Sequence, residues 1–208
     1  MSARQEVMAS IKRSLADVPR EESPAKVDVP LGPLPADPVA VFVERVEEYR
    51  GRVRNVAPDD VADEVAEVCR SLGVRSLVVP PGLPPGWLPD AGEVELIPYA
   101  RMDAKDLDRI GGALTGARLA IAETGTLVLD GDRISGKRAI TLVPDVHICV
   151  ISRHQVVPSV PDAIAQLGQL IQRRLPMIFV SGPSATSDIE FNRVEGVHGP
   201  RTLVILLV

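Results

Sequence analysis

Several common signals are missing from this chain, and each absence closes off a class of function. It has only two cysteines, Cys69 and Cys149, which stand 80 positions apart. That spacing makes no CxxC pair, no four-thiolate cluster and no disulfide framework. The chain is therefore expected to hold neither an iron–sulfur cluster nor a structural zinc by itself, and two buried apolar thiols is the simplest reading. The longest purely apolar run, Leu203 to Val208, has six residues, far fewer than the ~20 that span a bilayer. Met1 opens onto a polar, amphipathic stretch instead of an apolar signal core, so the expected location is the cytoplasm. With 23 basic and 28 acidic residues the formal charge is −5, and no basic stripe offers itself to nucleic acid. GxGxxG, Walker A, HExxH and GxSxG patterns are all missing, which disfavours dinucleotide, P-loop, zincin and esterase chemistry.

Proline is plentiful instead: 19 of 208 residues, about twice ordinary usage. Six of them (19, 24, 30, 33, 35 and 38) fall within Pro19–Pro38. Proline fixes φ and removes a donor, so this stretch is neither a helix nor a central strand. It reads as a linker that follows an amphipathic helix over residues 3 to 18, in which Val7, Ile11, Leu15 and Val18 recur at helical spacing. Ser2 and Gln5 have the spacing of a capping box. Residues 1–38 are thus an arm, and 39–208 the body.

Within the body, apolar periodicity predicts helices over Val39–Arg50, Pro58–Leu72 and Asp103–Leu114, the last weakened by Gly111 and Gly112. A further helix over Pro161–Leu175 would turn Ile164, Leu167 and Ile171 inward. Strands are expected at Arg52–Val56, Val74–Val79, Glu93–Ile97, Arg118–Ala122, Thr126–Leu129, Ala139–Val143, Val146–Ser152, Met177–Val180 and Thr202–Val208. The last two are continuously apolar, as strands covered on both faces tend to be. This alternation predicts an α/β domain built on a mainly parallel layered sheet with helices on both sides. The successive strands of Thr126–Ser152 hint at an antiparallel insertion.

Three segments gather polar groups just beyond apolar runs, where open α/β sheets bind ligands. The first is Glu123-Thr124-Gly125-Thr126. Gly125 would let the backbone approach a ligand, and Glu123 would act as base or nucleophile. A tight turn whose hydroxyls satisfy their own backbone would read the same way. The second runs from Ser181 to Glu190, with Ser181, Gly182, Ser184, Thr186, Asp188 and Glu190 as candidate substrate or anion contacts. Ser187 and Glu190 also have capping-box spacing, so the segment reads equally as the start of a short helix, whose N-terminus would attract an anion. The third is Gly196-Val197-His198-Gly199-Pro200. Glycines on both sides leave the His198 ring uncrowded, suited to acid or base work near neutral pH. His147, inside a β run, reads as a core or sheet-face histidine, and His154 as a loop residue. No ligand spacing supports a metal site built from His147, His198 and Asp188.

Together these segments resemble the lactate utilization protein C family, the LUD-domain proteins. The match rests on ETGT, then SGPS with Thr186 and Asp188-Ile189-Glu190, then GVHGP, in that order and close to the C-terminus. It implies a fold like the sugar-phosphate isomerase and CoA-transferase group. It also implies a part in oxidising L-lactate to pyruvate, beside partner proteins that carry the iron–sulfur clusters, with no cofactor on this chain. Glu123 and His198 would then be catalytic, and Thr124, Gly125, Thr126 and Gly199 would join the second segment around a small carboxylate. In the family a basic residue usually follows SGPS and an alanine precedes DIE; Ala185 and Ser187 stand there in this chain, so an anion would need Arg193 or Arg201 instead. Two other functions fit the same residues. One is a stand-alone enzyme of CoA-transferase or sugar-phosphate isomerase type; the other is a structural partner that docks through its arm.

Overall fold

The computed structural model describes residues 3–16, 35–100, 102–173, 175–186, 194–195 and 199–208. The chain divides into two units, Met1–Pro33 and Leu34–Val208. In the first, helix α1 (Ala3–Ser14) carries Val7 and Ile11, and the turn after it Leu15, all exposed. Ser2 and Val18 lie outside the described residues.

The second unit opens with helix α2 (Pro38–Glu48). Asp37 caps it, accepting hydrogen bonds from the Val39 and Ala40 amides at 3.0 and 3.1 Å, and Pro38 takes the first turn, where no amide is needed. Strand β1 (Arg52–Asn55) follows, then helix α3 (Val61–Leu72), which stops at Gly73 in the left-handed conformation. After α3 come β2 (Ser76–Val79), β3 (Glu95–Pro98), the short helix α4 (Ala104–Asp108) and β4 (Gly112–Gly116). A hairpin of β5 (Leu119–Ile121) and β6 (Thr126–Leu129) precedes β7 (Val146–Ile151) and β8 (Val156–Val157). Helix α5 (Val160–Gln172) leads to β9 (Ile178–Val180), the paired β10 (Ala185–Thr186) and β11 (Val194–Glu195), and β12 (Thr202–Leu207).

Six strands form one fully parallel sheet in the order β1-β12-β7-β4-β2-β3. Strands β7 and β12 lie inside it, paired on both edges, and apart from His147 and Thr202 they are apolar, because both faces are covered. Helix α3 covers one face, with Val61, Val65 and Val68 against Leu77, Leu114, Ile148 and Val204. On the other face lie α2, through Phe42 and Val46, and α4, through Leu107. Beside them packs a second sheet, β8-β5-β6-β9, whose Ala120, Leu127 and Leu129 meet Cys149, Ile151 and Ile205. Helix α5 closes the outer side of that second sheet with Ala163 and Leu167. The expected α/β architecture, with a mainly parallel sheet between helices, is therefore present.

Four local expectations change. Helix α4 ends at Asp108, and Gly112 begins a central strand. A Cβ at Gly112 would lie 2.9 Å from Leu77 Cδ2 and 3.2 Å from the Val146 carbonyl oxygen, so glycine here lets β4 fit between β2 and β7. Ala139–Val143 contains a short 3-10 turn, Arg138–Thr141, because burying Ile140 against Leu107 and Ala113 outweighs its β propensity. In α5 the inward residues are Ala163 and Leu167, while Ile164 and Ile171 are 42% and 39% exposed. Finally, the antiparallel strands make a separate sheet instead of an insertion, and Phe179 on β9 stays 45% exposed because only one face of that strand is covered.

Candidate functional site

Strand β5 runs into the turn Ala122-Glu123-Thr124-Gly125, and β6 leaves from Thr126. Gly125 has φ +59°, and a Cβ there would sit 2.8 Å from the Val46 amide nitrogen and from Arg45 Cβ. Only glycine lets this turn rest on α2. The SGPS loop rests on the same helix end: Gly182 has φ +82°, and its Cβ would lie 2.6 Å from Tyr49 Cβ. Pairing of β6 with β9 then brings the start of one strand to the end of the other.

The result is a chain of hydroxyls. Thr126 Oγ1 lies 2.7 Å from Thr124 Oγ1 and 2.6 Å from Ser181 Oγ. Thr126 is buried, Thr124 half-buried and Ser181 exposed, so the buried middle hydroxyl links Thr124 to the surface at Ser181. Three hydroxyls carry three hydrogens, and the two bonds among them use two. The third is available to the Thr124 carbonyl, 3.4 Å from Thr126 Oγ1, or to a ligand at the exposed end. Among the described residues no imidazole or carboxylate bonds to these oxygens. The cluster is therefore built to donate and accept hydrogen bonds, and a proton acceptor for catalysis must come from elsewhere.

Glu123 turns to a different partner. Its Oε1 accepts a hydrogen bond from the Val160 amide at 2.7 Å, at the N-terminus of α5, while its own amide donates to the Pro158 carbonyl at 3.2 Å. A carboxylate at that position satisfies an orphan helix donor and complements the helix dipole. The Ser184 amide donates to the Pro200 carbonyl at 2.8 Å, and a Cβ on Gly199 would come within 3.2 Å of Ser184 Cβ. The second and third segments thus meet at Ser184 and Gly199-Pro200. Thr186 is placed in β10, paired with Val194. Ser187, Asp188, Glu190, Arg193 and His198 lie outside the described residues. Arg201 pairs with Asp145 at 3.4 Å on the surface.

His147 is a core histidine. Its Nε2 lies 2.8 Å from Thr115 Oγ1, its Nδ1 has no hydrogen-bond partner, and burial lowers its pKa to about 4. Burial also pushes the thiols up, Cys69 to about 11 and Cys149 to about 12, so both are neutral and unreactive in the fold. Among the described residues no group of His, Cys, Asp or Glu is placed to hold a metal ion. No helix among them is long and apolar enough to cross a membrane.

Sequence reasoning passed over Lys137 and Arg138, which border a cavity at the far end of β6 and β9 from the hydroxyls. An adjacent basic pair in an otherwise acidic chain was the available signal.

Comparison with known proteins identifies the family. Lactate utilization protein C of Deinococcus radiodurans is 36% identical over 208 residues, covering 99% of this chain and 95% of the relative. The family model described as the LUD domain matches residues 39–208. The chain belongs to the lactate utilization protein C family of LUD-domain proteins. The LUD domain accounts for the whole α/β unit from the first turn of α2 onward. An uncharacterized protein of Neisseria meningitidis serogroup B is 27% identical, over 100% of this chain and 94% of that one. A crystal structure of a DUF162 family protein from Deinococcus radiodurans shares the fold, with a TM-score of 0.72 and 29% identity over 85% of this chain and 99% of that one. Both the hydroxyl chain and the Lys137–Arg138 cavity fall inside the LUD domain.

Proposed function

We propose that this LUD-domain chain is the non-cluster component of an L-lactate utilization system, acting in the cytoplasm beside iron–sulfur proteins in the oxidation of L-lactate to pyruvate. The observation that carries the reading is the near full-length similarity to a relative named lactate utilization protein C. The hydroxyl chain supports it, because donors and acceptors at the surface end of Thr126–Ser181 suit the carboxylate and hydroxyl of a small hydroxy acid.

Oxidation of lactate breaks the hydroxyl O–H and the adjacent C–H bond and forms a carbonyl. Two electrons pass to the iron–sulfur partners and two protons are released. In this reading Thr124, Thr126 and Ser181 orient the substrate, together with the backbone of Gly125, Gly182 and Gly199. Ser184, Thr186, Asp188 and Glu190 are further candidate substrate contacts in this reading. His198 takes a proton. Glu123, bonded through Oε1 to the α5 amide, fixes the turn that carries Thr124 and Thr126, and that bond disfavours its use as a free nucleophile.

Reconstitution with the iron–sulfur partners tests the reading. Lactate-dependent reduction of an electron acceptor should require this chain, and His198→Ala should slow it by about 100-fold or more. Undiminished electron transfer without the chain would overturn the function. Full activity in both His198→Ala and Glu123→Gln would overturn the site.

A further inference from the structure

The connections of the parallel sheet part at one place. The chain passes from β2 outward to β3, then back across β2 to β4. Open α/β sheets bind ligands where connections diverge in this way, outside the carboxyl ends of the strands. Here that region is occupied by the loop after β6. The Gly116 amide, at the end of β4, donates to the Ile134 carbonyl at 3.1 Å, and the Gly82 amide, beyond β2, donates to the Arg133 carbonyl at 2.8 Å. Asp132 Oδ1 accepts from the Ile134 and Ser135 amides, both at 2.7 Å, and Asp130 Oδ1 accepts from the Ser135 hydroxyl at 2.8 Å. The loop is thereby fixed from within and against the sheet, and its two carboxylates are taken up by its own backbone and Ser135.

Beside this loop lies a cavity of about 490 Å³. Tyr99, held at the end of β3 by the hydrogen bond its amide donates to the Val79 carbonyl at 2.8 Å, forms one wall, and Ala100, Ala139, Pro176 and Ile178 add to the apolar surface. Among the described residues, the charged ones that line it are Lys137 and Arg138. Neither side chain has an ion pair or hydrogen bond among the described residues; the Arg138 carbonyl accepts from the Thr141 hydroxyl at 3.1 Å. Two adjacent cations, with no ion-pair partner among the described residues, stand at an apolar cavity in a chain whose net charge is −5.

We propose that this cavity binds a phosphate ester with an apolar or aromatic body, its phosphate held by Lys137 and Arg138 and its body packed on Tyr99 and Ile178. Two neighbouring cations match a dianionic phosphate; the forked guanidinium of Arg138 bonds two oxygens and Lys137 supplies a point charge. The volume falls in the range of about 300–1,000 Å³ that takes a ligand of nucleotide size. A three-carbon hydroxy acid carries one charge, has no apolar body to cover Tyr99 and Ile178, and would leave most of the space unfilled. This site is therefore distinct from the hydroxyl chain.

Calorimetric titration of the full chain at low salt tests the proposal, with adenosine 5′-monophosphate, inorganic phosphate and L-lactate as probes. The nucleotide should bind, inorganic phosphate should bind more weakly, and both should weaken as salt is raised. Lys137→Ala and Arg138→Ala should each weaken nucleotide binding about 10-fold. Both side chains are exposed, so thermal unfolding of the two variants should match the parent. No nucleotide binding, binding unchanged in the double variant, or L-lactate binding as tightly as the nucleotide would each overturn it. The readout needs neither lactate oxidation nor partner proteins, so its outcome is independent of the lactate reading.

Discussion

Glu123 and Val160 stand 37 positions apart in sequence, yet the carboxylate of one accepts the first-turn amide of the other at 2.7 Å. The acidic residue of the ETGT motif thus holds the N-terminus of α5. The same bond locks the turn from which Thr124 and Thr126 reach Ser181. A residue that the motif offers as a base or nucleophile has a positioning role in the fold.

Removing that carboxylate should therefore show in stability first. Glu123→Ala is expected to cost ~1 kcal/mol, the size of a lost helix cap, or roughly 2–4 °C in Tm. Glu123→Gln keeps an acceptor oxygen and should lose less than half of that. Thermal unfolding followed by circular dichroism measures both. Loss of lactate-dependent electron transfer in Glu123→Gln at unchanged Tm would instead assign the carboxylate to chemistry.

Gly125 and Gly182 offer a second test, since both approach the end of α2 at positive φ. Alanine at either position meets Val46 or Tyr49 below normal contact distance and strains the backbone. Each substitution should destabilise by ~1–3 kcal/mol. Urea unfolding should show a lower midpoint with an unchanged slope.

His147 should give the protein an acid-sensitive component of stability. Burial lowers its pKa from 6.5 to about 4, so below pH 6.5 the unfolded chain takes up a proton that the folded chain refuses. Stability from this group is complete above pH 6.5, falls as pH drops toward about 4, and changes no further below that. The total amounts to ~3 kcal/mol. Denaturant unfolding across that window should show the loss, and a His147→Leu/Thr115→Val double variant should lack it. Thr115→Val alone leaves Nε2 without its partner and should destabilise by ~1–3 kcal/mol at neutral pH.

The two thiols make a simple probe of the core. Cys69 and Cys149 are buried with raised pKa values, so a thiol reagent at neutral pH should label neither in the native protein. Both should react after unfolding. Rapid labelling of native Cys149 would contradict the packing of β7 between β12 and β4.

Strand β12 was legible from sequence because a continuous apolar run of six residues suits a strand covered on both faces, and β7 because its β-branched residues recur around His147. Helix α3 was equally plain from Val61, Val65, Val68 and the stop at Gly73. The failures share a cause: each depended on a neighbour distant in sequence. Gly112 reads as a helix breaker until Leu77 and Val146 are known to flank it. Ile164 and Leu167 look alike until the second sheet decides which face of α5 is covered. At the site, the polar clusters were visible, and Gly125 was read as a close backbone approach, though to a ligand and not to α2. The bond between Glu123 and Val160 was not, because nothing local signals a helix cap supplied from another element. Lys137 and Arg138 were missed for the same reason, their cavity being made by β3 and β9.

Strand β12 lies between β1 and β7, pairing Thr202 with Val146 on one side and Val204 with Arg52 on the other. While the chain is being synthesised, β1 and β7 therefore wait with unpaired edges until the segment after residue 200 has emerged. Such a sheet closes late, through contacts of high sequence separation, which slows folding. For that interval the exposed strand edges are open to pairing with other chains. Expression yield should accordingly depend on temperature and chaperone supply more than the stability of the finished protein would indicate.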